Sequence, residues 1–199
     1  MKKRRVGIFG GTFNPPHIGH IEAARAFVKG AELDELIIMP AFIPPHKEYT
    51  STVSCEDRLA MCKLAFADVA LATVSDLEIS RGGKSYTYLT LEELKRDDVD
   101  LYFLCGTDMI LTLGNWKNPD IIFSLATICY IRRESDEATT VMIAEKCNEY
   151  ARDYNANVIA IDADVIEISS SDIRGKVEGA DSYLTPAVVE YISKAGLYE

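Results

Sequence analysis

Short runs of continuous apolar residues alternate along this chain with longer stretches in which apolar positions recur every three or four residues. Val6-Gly7-Ile8-Phe9, Leu36–Met39, Leu101–Cys105 and Thr127–Ile131 are the clearest runs, the pattern expected of parallel strands covered on both faces. Asn157–Ile161 and Val165–Ile168 are shorter candidates. Val74–Ile79 alternates instead, with Val74, Asp76 and Glu78 opposed to Ser75, Leu77 and Ile79, which predicts a strand near the sheet edge. Helical periodicity covers Ile18 to about Lys29, with Ile21, Ala24, Phe27 and Val28 on its apolar side and Gly30 at its end. Ser54-Cys55-Glu56-Asp57 has the form of a capping box and opens a helix through about Ala67, in which Asp57 and Arg58 read as a helix start and a solvated charge. Further helices are predicted from Tyr88 to about Arg96, from Ala138 to about Tyr154, and from Pro186 to Ala195 with Gly196 behind it. Strand, helix and strand in close succession imply βαβ units with right-handed crossovers, and so an α/β fold. The 199 residues show no repeat, low-complexity tract or linker and fit one domain, 1–199.

The loops behind the strands carry the candidate chemistry, as ligands of open α/β sheets bind outside the carboxyl ends of the strands. Behind the first strand comes Gly10-Gly11-Thr12-Phe13-Asn14-Pro15-Pro16-His17-Ile18-Gly19-His20. Gly10 and Gly11 predict a tight turn with close approach to the main chain, and the prolines hold off the helix until about His17. A strand, a glycine turn and a helix start form an anion site, with His17 and His20 on one face of the first helical turn. Pro44-Pro45-His46-Lys47 supplies two more potential cations after the second strand. Arg81-Gly82-Gly83-Lys84-Ser85-Tyr86-Thr87 is a glycine loop entering a helix; an N-cap without a ligand is its commoner meaning. Gly106-Thr107-Asp108 places a carboxylate just past a strand, suited to a ribose hydroxyl pair or to a helix cap. Trp116, the one Trp of the chain, stands in the polar loop Asn115–Pro119 and is either a packing lid or a stacking platform. Arg132-Arg133 follow another strand, and one of them reads equally as a surface charge. Ser169-Ser170-Ser171-Asp172-Ile173-Arg174 offers hydroxyls, a helix start and an Arg one turn in, a second phosphate-ready end.

Charge narrows the partners. A formal net charge of -10 argues against nucleic acid and repels anionic substrates at long range, so a nucleotide would depend on local cations, helix ends and a divalent metal. No apolar run approaches the length of a membrane span, and the basic Met1–Arg5 is followed by too short an apolar run for a signal peptide. The five cysteines are scattered, odd in number and without a C-x-x-C pair. They read as reduced structural thiols in a cytoplasmic protein.

The stretch Gly11-Thr12-Phe13-Asn14-Pro15-Pro16-His17-Ile18-Gly19-His20 closely resembles the signature of the H-x-G-H nucleotidyltransferases. From about Val6 to Tyr198 the chain resembles the family of bacterial nicotinate mononucleotide adenylyltransferases, with Pro44-Pro45-His46-Lys47, Ser85-Tyr86-Thr87, Gly106-Thr107-Asp108, Trp116, Ile168–Arg174 and Gly196-Leu197-Tyr198 agreeing in type, order and spacing. Asn14 where the family often has Asp, Ser171 for Thr, Lys117-Asn118 behind the Trp, and Glu134-Ser135 behind Arg133 are departures. The resemblance implies a Rossmann-like doubly wound parallel sheet of the nucleotidylyl transferase type with a small C-terminal helical portion. It also implies adenylyl transfer from ATP, with Mg²⁺, to nicotinate mononucleotide. His17, His20, Lys47 and Arg174 would be the catalytic set. Gly10, Gly11, Thr12, Phe13, Gly106, Asp108, Arg133, Ser169 and Ser170 would complete the ATP site, without a protein-held metal. Asn14, Ser85, Tyr86, Thr87 and Trp116, with Lys47, would bind the acceptor. Oligomeric state stays open, a homo-oligomer included. Pantetheine-phosphate adenylyltransferases and cytidylyltransferases share H-x-G-H but lack the Ser-Tyr-Thr and Trp combination. A redox dinucleotide domain would need G-x-G-x-x-G, which this first turn does not spell. A non-catalytic nucleotide sensor on the same fold is the remaining alternative.

Overall fold

The four clearest apolar runs become strands of one sheet because helices cover both of its faces. The computed structural model describes residues 2–45, 53–132, 137–163, 166, 168–175 and 179–198, with the backbone alone at 132 and 180. Six strands, β1 (Arg4–Gly11), β2 (Glu35–Pro40), β3 (Ala72–Val74), β4 (Val99–Cys105), β5 (Ala126–Arg132) and β6 (Val158–Asp162), pair in parallel in the order β3-β2-β1-β4-β5-β6. Side chains alternate across the sheet. Leu36, Ile38 and Leu104 enter one core with Phe27 of α1 (Ile18–Gly30), Met61 of α2 (Cys55–Ala65) and Val188 near the C-terminus. Ile8, Met39 and Phe103 enter the other, under the opposite set of helices.

The Val74–Ile79 expectation holds only at its first residue. β3 is indeed the edge strand, but it ends at Val74 and α3 (Leu77–Arg81) replaces the rest. Glu78 turns inward and is buried, so the alternation came from a helix with one polar residue packed inside. The predicted Tyr88 helix is α4 (Thr87–Leu94). After β4 come the short α5 (Thr107–Ile110), a helix start that the helix-cap reading of Asp108 allowed, and α6 (Pro119–Leu125), which was not expected although Pro119 at the first helical position was a start signal. α7 (Glu137–Tyr154) and α9 (Pro186–Ala195) match their predicted spans closely. Of the predicted strand Val165–Ile168, Val165 lies outside the described residues; Ile166 and Ile168 belong to no strand. α8 (Ser170–Arg174) follows. Among the described residues no helix is long and apolar enough to cross a membrane.

α1 leaves the carboxyl end of β1 toward one core, whereas α5 leaves the neighbouring β4 toward the other. The chain therefore parts in opposite directions between these two strand ends, and a crevice opens there, the usual ligand position of such sheets.

Candidate active site

The first loop is built differently from the expected glycine turn. Gly10 and Gly11 stay in β1, paired with Met39 and Pro40, and neither has a positive φ. The sharp bend falls on Phe13 (φ 49°), followed by a cis Asn14–Pro15 peptide. Gly11 serves the bend by being small: a Cβ there would lie 2.9 Å from the Phe13 ring. Phe13 thereby folds back into the core, edge-on to Phe66 and to His20, with ring centroids 5.7 and 5.0 Å apart.

His17 caps α1 in an extended conformation. Its backbone N–H donates to His20 Nδ1 at 3.2 Å, and the two rings stack with centroids 3.7 Å apart. An Nδ1 that accepts leaves the proton of a neutral imidazole on Nε2, which makes Nε2 a donor. The glycine between them has a steric cause, as a Cβ at Gly19 would come within 3.1 Å of the His17 ring. His17 is buried and His20 half-buried.

The C-terminal part of the chain closes on this loop. Arg174 Nη1 donates to the Asn14 carbonyl at 2.6 Å, Ser170 Oγ to the Pro15 carbonyl at 2.9 Å, and Tyr198 Oη to Asn14 Oδ1. Ser169 is engaged as the cap of α8 (Ser170–Arg174). Its hydroxyl donates to Asp172 Oδ2 at 2.6 Å and accepts from the Asp172 N–H, while its own N–H donates to the same carboxylate at 2.9 Å. These hydrogen bonds, with the His17 charge nearby, hold the Asp172 carboxyl below the usual carboxylate range.

Across the crevice, Gly106 caps α5, and Asp108 sits exposed in its first turn without a capping bond, so the helix-cap alternative for Asp108 falls away. Trp116 is half-buried and meets Phe103 of β4 edge-on at 6.2 Å. Ser85 differs from its two neighbours. It is buried, its N–H donates to the Ile43 carbonyl and its Oγ accepts from the Phe42 N–H, both at 2.9 Å. Tyr86 and Thr87, half-buried at the start of α4, are the members of that trio at the surface. His46, Lys47 and Arg133 lie outside the described residues.

Two functional candidates escaped the sequence reading. Arg58 is no solvated charge: it is wholly buried, donating to the Thr12 carbonyl at 2.8 Å and the Phe42 carbonyl at 3.2 Å. Its helical spacing with buried Met61, Cys62 and Ala65 was the available signal. Glu78, behind Ser85, accepts from Thr90 Oγ1 at 2.6 Å, and Arg81 stands 3.9 Å away. Burial pushes its carboxyl up, opposed by the Thr90 and Ser85 hydroxyls and the Arg81 charge. The cysteines offer no nucleophile. All five are free thiols, and burial raises Cys62, Cys105 and Cys129, the last to about 12.

Comparison with known proteins agrees with this architecture. Residues 8–176 match the model of the cytidylyltransferase-like family. The chain is 36% identical over 200 residues to a probable nicotinate-nucleotide adenylyltransferase of Clostridium perfringens, covering 98% of each protein. It is 41% identical to one of Lactiplantibacillus plantarum, covering 98% of this chain and 89% of the relative. Among solved structures, the Plasmodium falciparum nicotinic acid mononucleotide adenylyltransferase complexed with NaAD superposes with a TM-score of 0.74 at 19% identity, covering 98% of this chain and 97% of that one, which bears on the fold alone. With relatives this similar over nearly its whole length, the chain belongs to the nicotinate-nucleotide adenylyltransferase family of cytidylyltransferase-like proteins.

Proposed function

We propose that this protein, acting as one domain in the cytoplasm, transfers the adenylyl group of ATP to nicotinate mononucleotide, forming nicotinate adenine dinucleotide and pyrophosphate for NAD synthesis. The observation that carries this reading is the meeting of two helix starts on one loop. His17 and His20 of α1 and Ser170 and Arg174 of α8 converge around Asn14 and Pro15, beside the strand ends where the sheet divides.

In the forward step the acceptor phosphate attacks the α-phosphorus, a new P–O bond forms, and the bond to the β-phosphate oxygen breaks as pyrophosphate leaves. The attacking phosphate is mostly dianionic at neutral pH, with a second pKa of about 6, and needs no general base. The protein's work is therefore positioning and charge stabilisation. His20 Nε2 donates to the α-phosphate as charge builds there, with its ring held by the His17 N–H and the edge of Phe13. Arg174 and the start of α8 take the β,γ-phosphates. Ser169 serves by holding that start through its cap rather than by an open hydroxyl. Lys47 and Arg133 are assigned to the phosphates by resemblance. Asp108 holds the adenosine ribose. Trp116 stacks on the pyridine, and donors of Tyr86 and Thr87 meet its carboxylate. Mg²⁺ bound with ATP would supply charge neutralisation on the departing pyrophosphate. Among the described residues no three His, Cys, Asp or Glu side chains gather to hold it separately.

Pyrophosphate release with ATP and Mg²⁺ tests the proposal, with nicotinate mononucleotide, nicotinamide mononucleotide and phosphopantetheine offered in parallel. Turnover with the first, at a kcat/KM well above that of the amide, is expected. Equal values for acid and amide would remove the carboxylate role of Tyr86 and Thr87. Release with phosphopantetheine alone would keep the phosphate site and overturn the acceptor.

A further inference from the structure

The apolar stripe of α2 contains one residue that does not belong in a core. Arg58 lies among Met61, Cys62 and Ala65 with no exposure at all. A buried guanidinium loses its hydration, and an apolar side chain of similar volume commonly fills such a position with equal or better stability. Its planar fork does what no apolar side chain can: it donates in two directions at once. Nη1 reaches the carbonyl of Thr12, immediately before the Phe13 bend that leads to His17 and His20. Nη2 reaches the carbonyl of Phe42, behind β2. Phe42 in turn donates its N–H to Ser85 Oγ, and Ser85 donates its N–H back to Ile43, beside the Ile43–Lys84 bridge. A chain of hydrogen bonds thus runs from the loop assigned to ATP, through Arg58 and residues 42–43, to the Ser85–Thr87 turn assigned to the acceptor.

From this path, and resting on the function proposed above, we infer that Arg58 is a positioning residue that holds the donor and acceptor subsites in register. It touches neither substrate. It fixes the distance between two loops that approach the crevice from different strand ends, so that the acceptor phosphate and the α-phosphorus meet in line. An error of about 1 Å in such an alignment costs on the order of a hundredfold in rate.

The test compares wild type with Arg58→Lys, which keeps the charge but loses the fork, and with Ser85→Ala at the far end of the path. Amide hydrogen exchange is followed with and without ATP, and steady-state kinetics are measured on protein shown to be folded by circular dichroism. In wild type, ATP is expected to slow exchange at 84–87 as well as at 13–20. In Arg58→Lys the protection at 84–87 disappears while that at 13–20 remains. The kcat of that variant falls by about tenfold or more and both KM values rise. A purely structural Arg58 would lower the melting temperature and leave both patterns unchanged. Absence of ATP protection at 84–87 in wild type, or its persistence in folded Arg58→Lys, overturns the inference. Should Arg58→Lys fail to fold, Ser85→Ala decides: a raised KM for ATP supports the path, and a rise for the acceptor alone refutes it. A wild type that is inactive with every acceptor would strike the proposed reaction and leave the exchange result to judge the coupling.

Discussion

The two helix starts that meet at Asn14 and Pro15 look alike as sequence and differ as structures. Both offer polar side chains in the first turn, and both are chemically fit for phosphate. At α1 the approach is buried from Phe13 to His17, and the two histidines engage one another: the His17 N–H donates to His20 Nδ1, the His20 N–H donates to the His17 carbonyl, and the rings stack. At α8 the start is exposed, and Asp172 already occupies the N–H and hydroxyl of Ser169. An acid that closes its own capping box satisfies two of the orphan donors of its helix, whereas an imidazole that accepts at Nδ1 carries its proton on Nε2. In the proposed function the two helix starts divide the work, α1 aimed at the reacting phosphate and α8, braced against the loop, at the β,γ-phosphates.

The contrast breaks most easily at His20. Replacing it with Ala is expected to lower kcat on the order of a hundredfold or more while nucleotide binding changes less. Rapid-quench turnover beside equilibrium ATP binding measures the split, and near wild-type kcat would return both helix starts to equal footing. Ser169→Ala should act mainly on stability, removing about 1 kcal/mol by loss of the cap. Urea unfolding reads that loss, with kcat falling by less than at His20; the reverse ranking would make the Ser169 hydroxyl a ligand after all. The smallest effect concerns pH. Asp172 has a folded pKa below its unfolded one, so its contribution is complete above the unfolded value and fades as pH falls through the lower folded value. Glu78 has the opposite sign: its carboxyl is raised by burial, so the stability tied to its protonated form is lost as pH rises through that raised value. Unfolding midpoints across the acid range should thus decline toward low pH less in Asp172→Asn than in wild type, and Glu78→Gln should flatten the decline toward higher pH.

Much of the scaffold was legible because parallel strands covered on both faces must be apolar throughout, and Val6–Phe9, Leu36–Met39 and Leu101–Cys105 are. Val74–Ile79 misled because one buried carboxylate, Glu78, gives a short helix the look of an alternating strand. The glycine pair misled for a related reason. Glycine permits unusual backbone angles without requiring them, and here a neighbouring ring used the space at Gly11. Arg58 was assigned to solvent by its charge, although its helical spacing with Met61, Cys62 and Ala65 pointed inward.

The sequence by itself determined the alternation of strands and helices, the family, and the residue types gathered for phosphate chemistry, because these follow from local periodicity and from motifs a few residues long. Only the tertiary structure decided which polar groups are engaged within the protein and by what. Ser85 and Ser169 are engaged by partners on adjoining loops and turns, Arg174 and Tyr198 reach Asn14 from the other end of the chain, and Arg58 joins two loops from inside the core. Hydrogen-bond satisfaction depends on what the folded chain places within about 3 Å, and much of that lies far away in sequence.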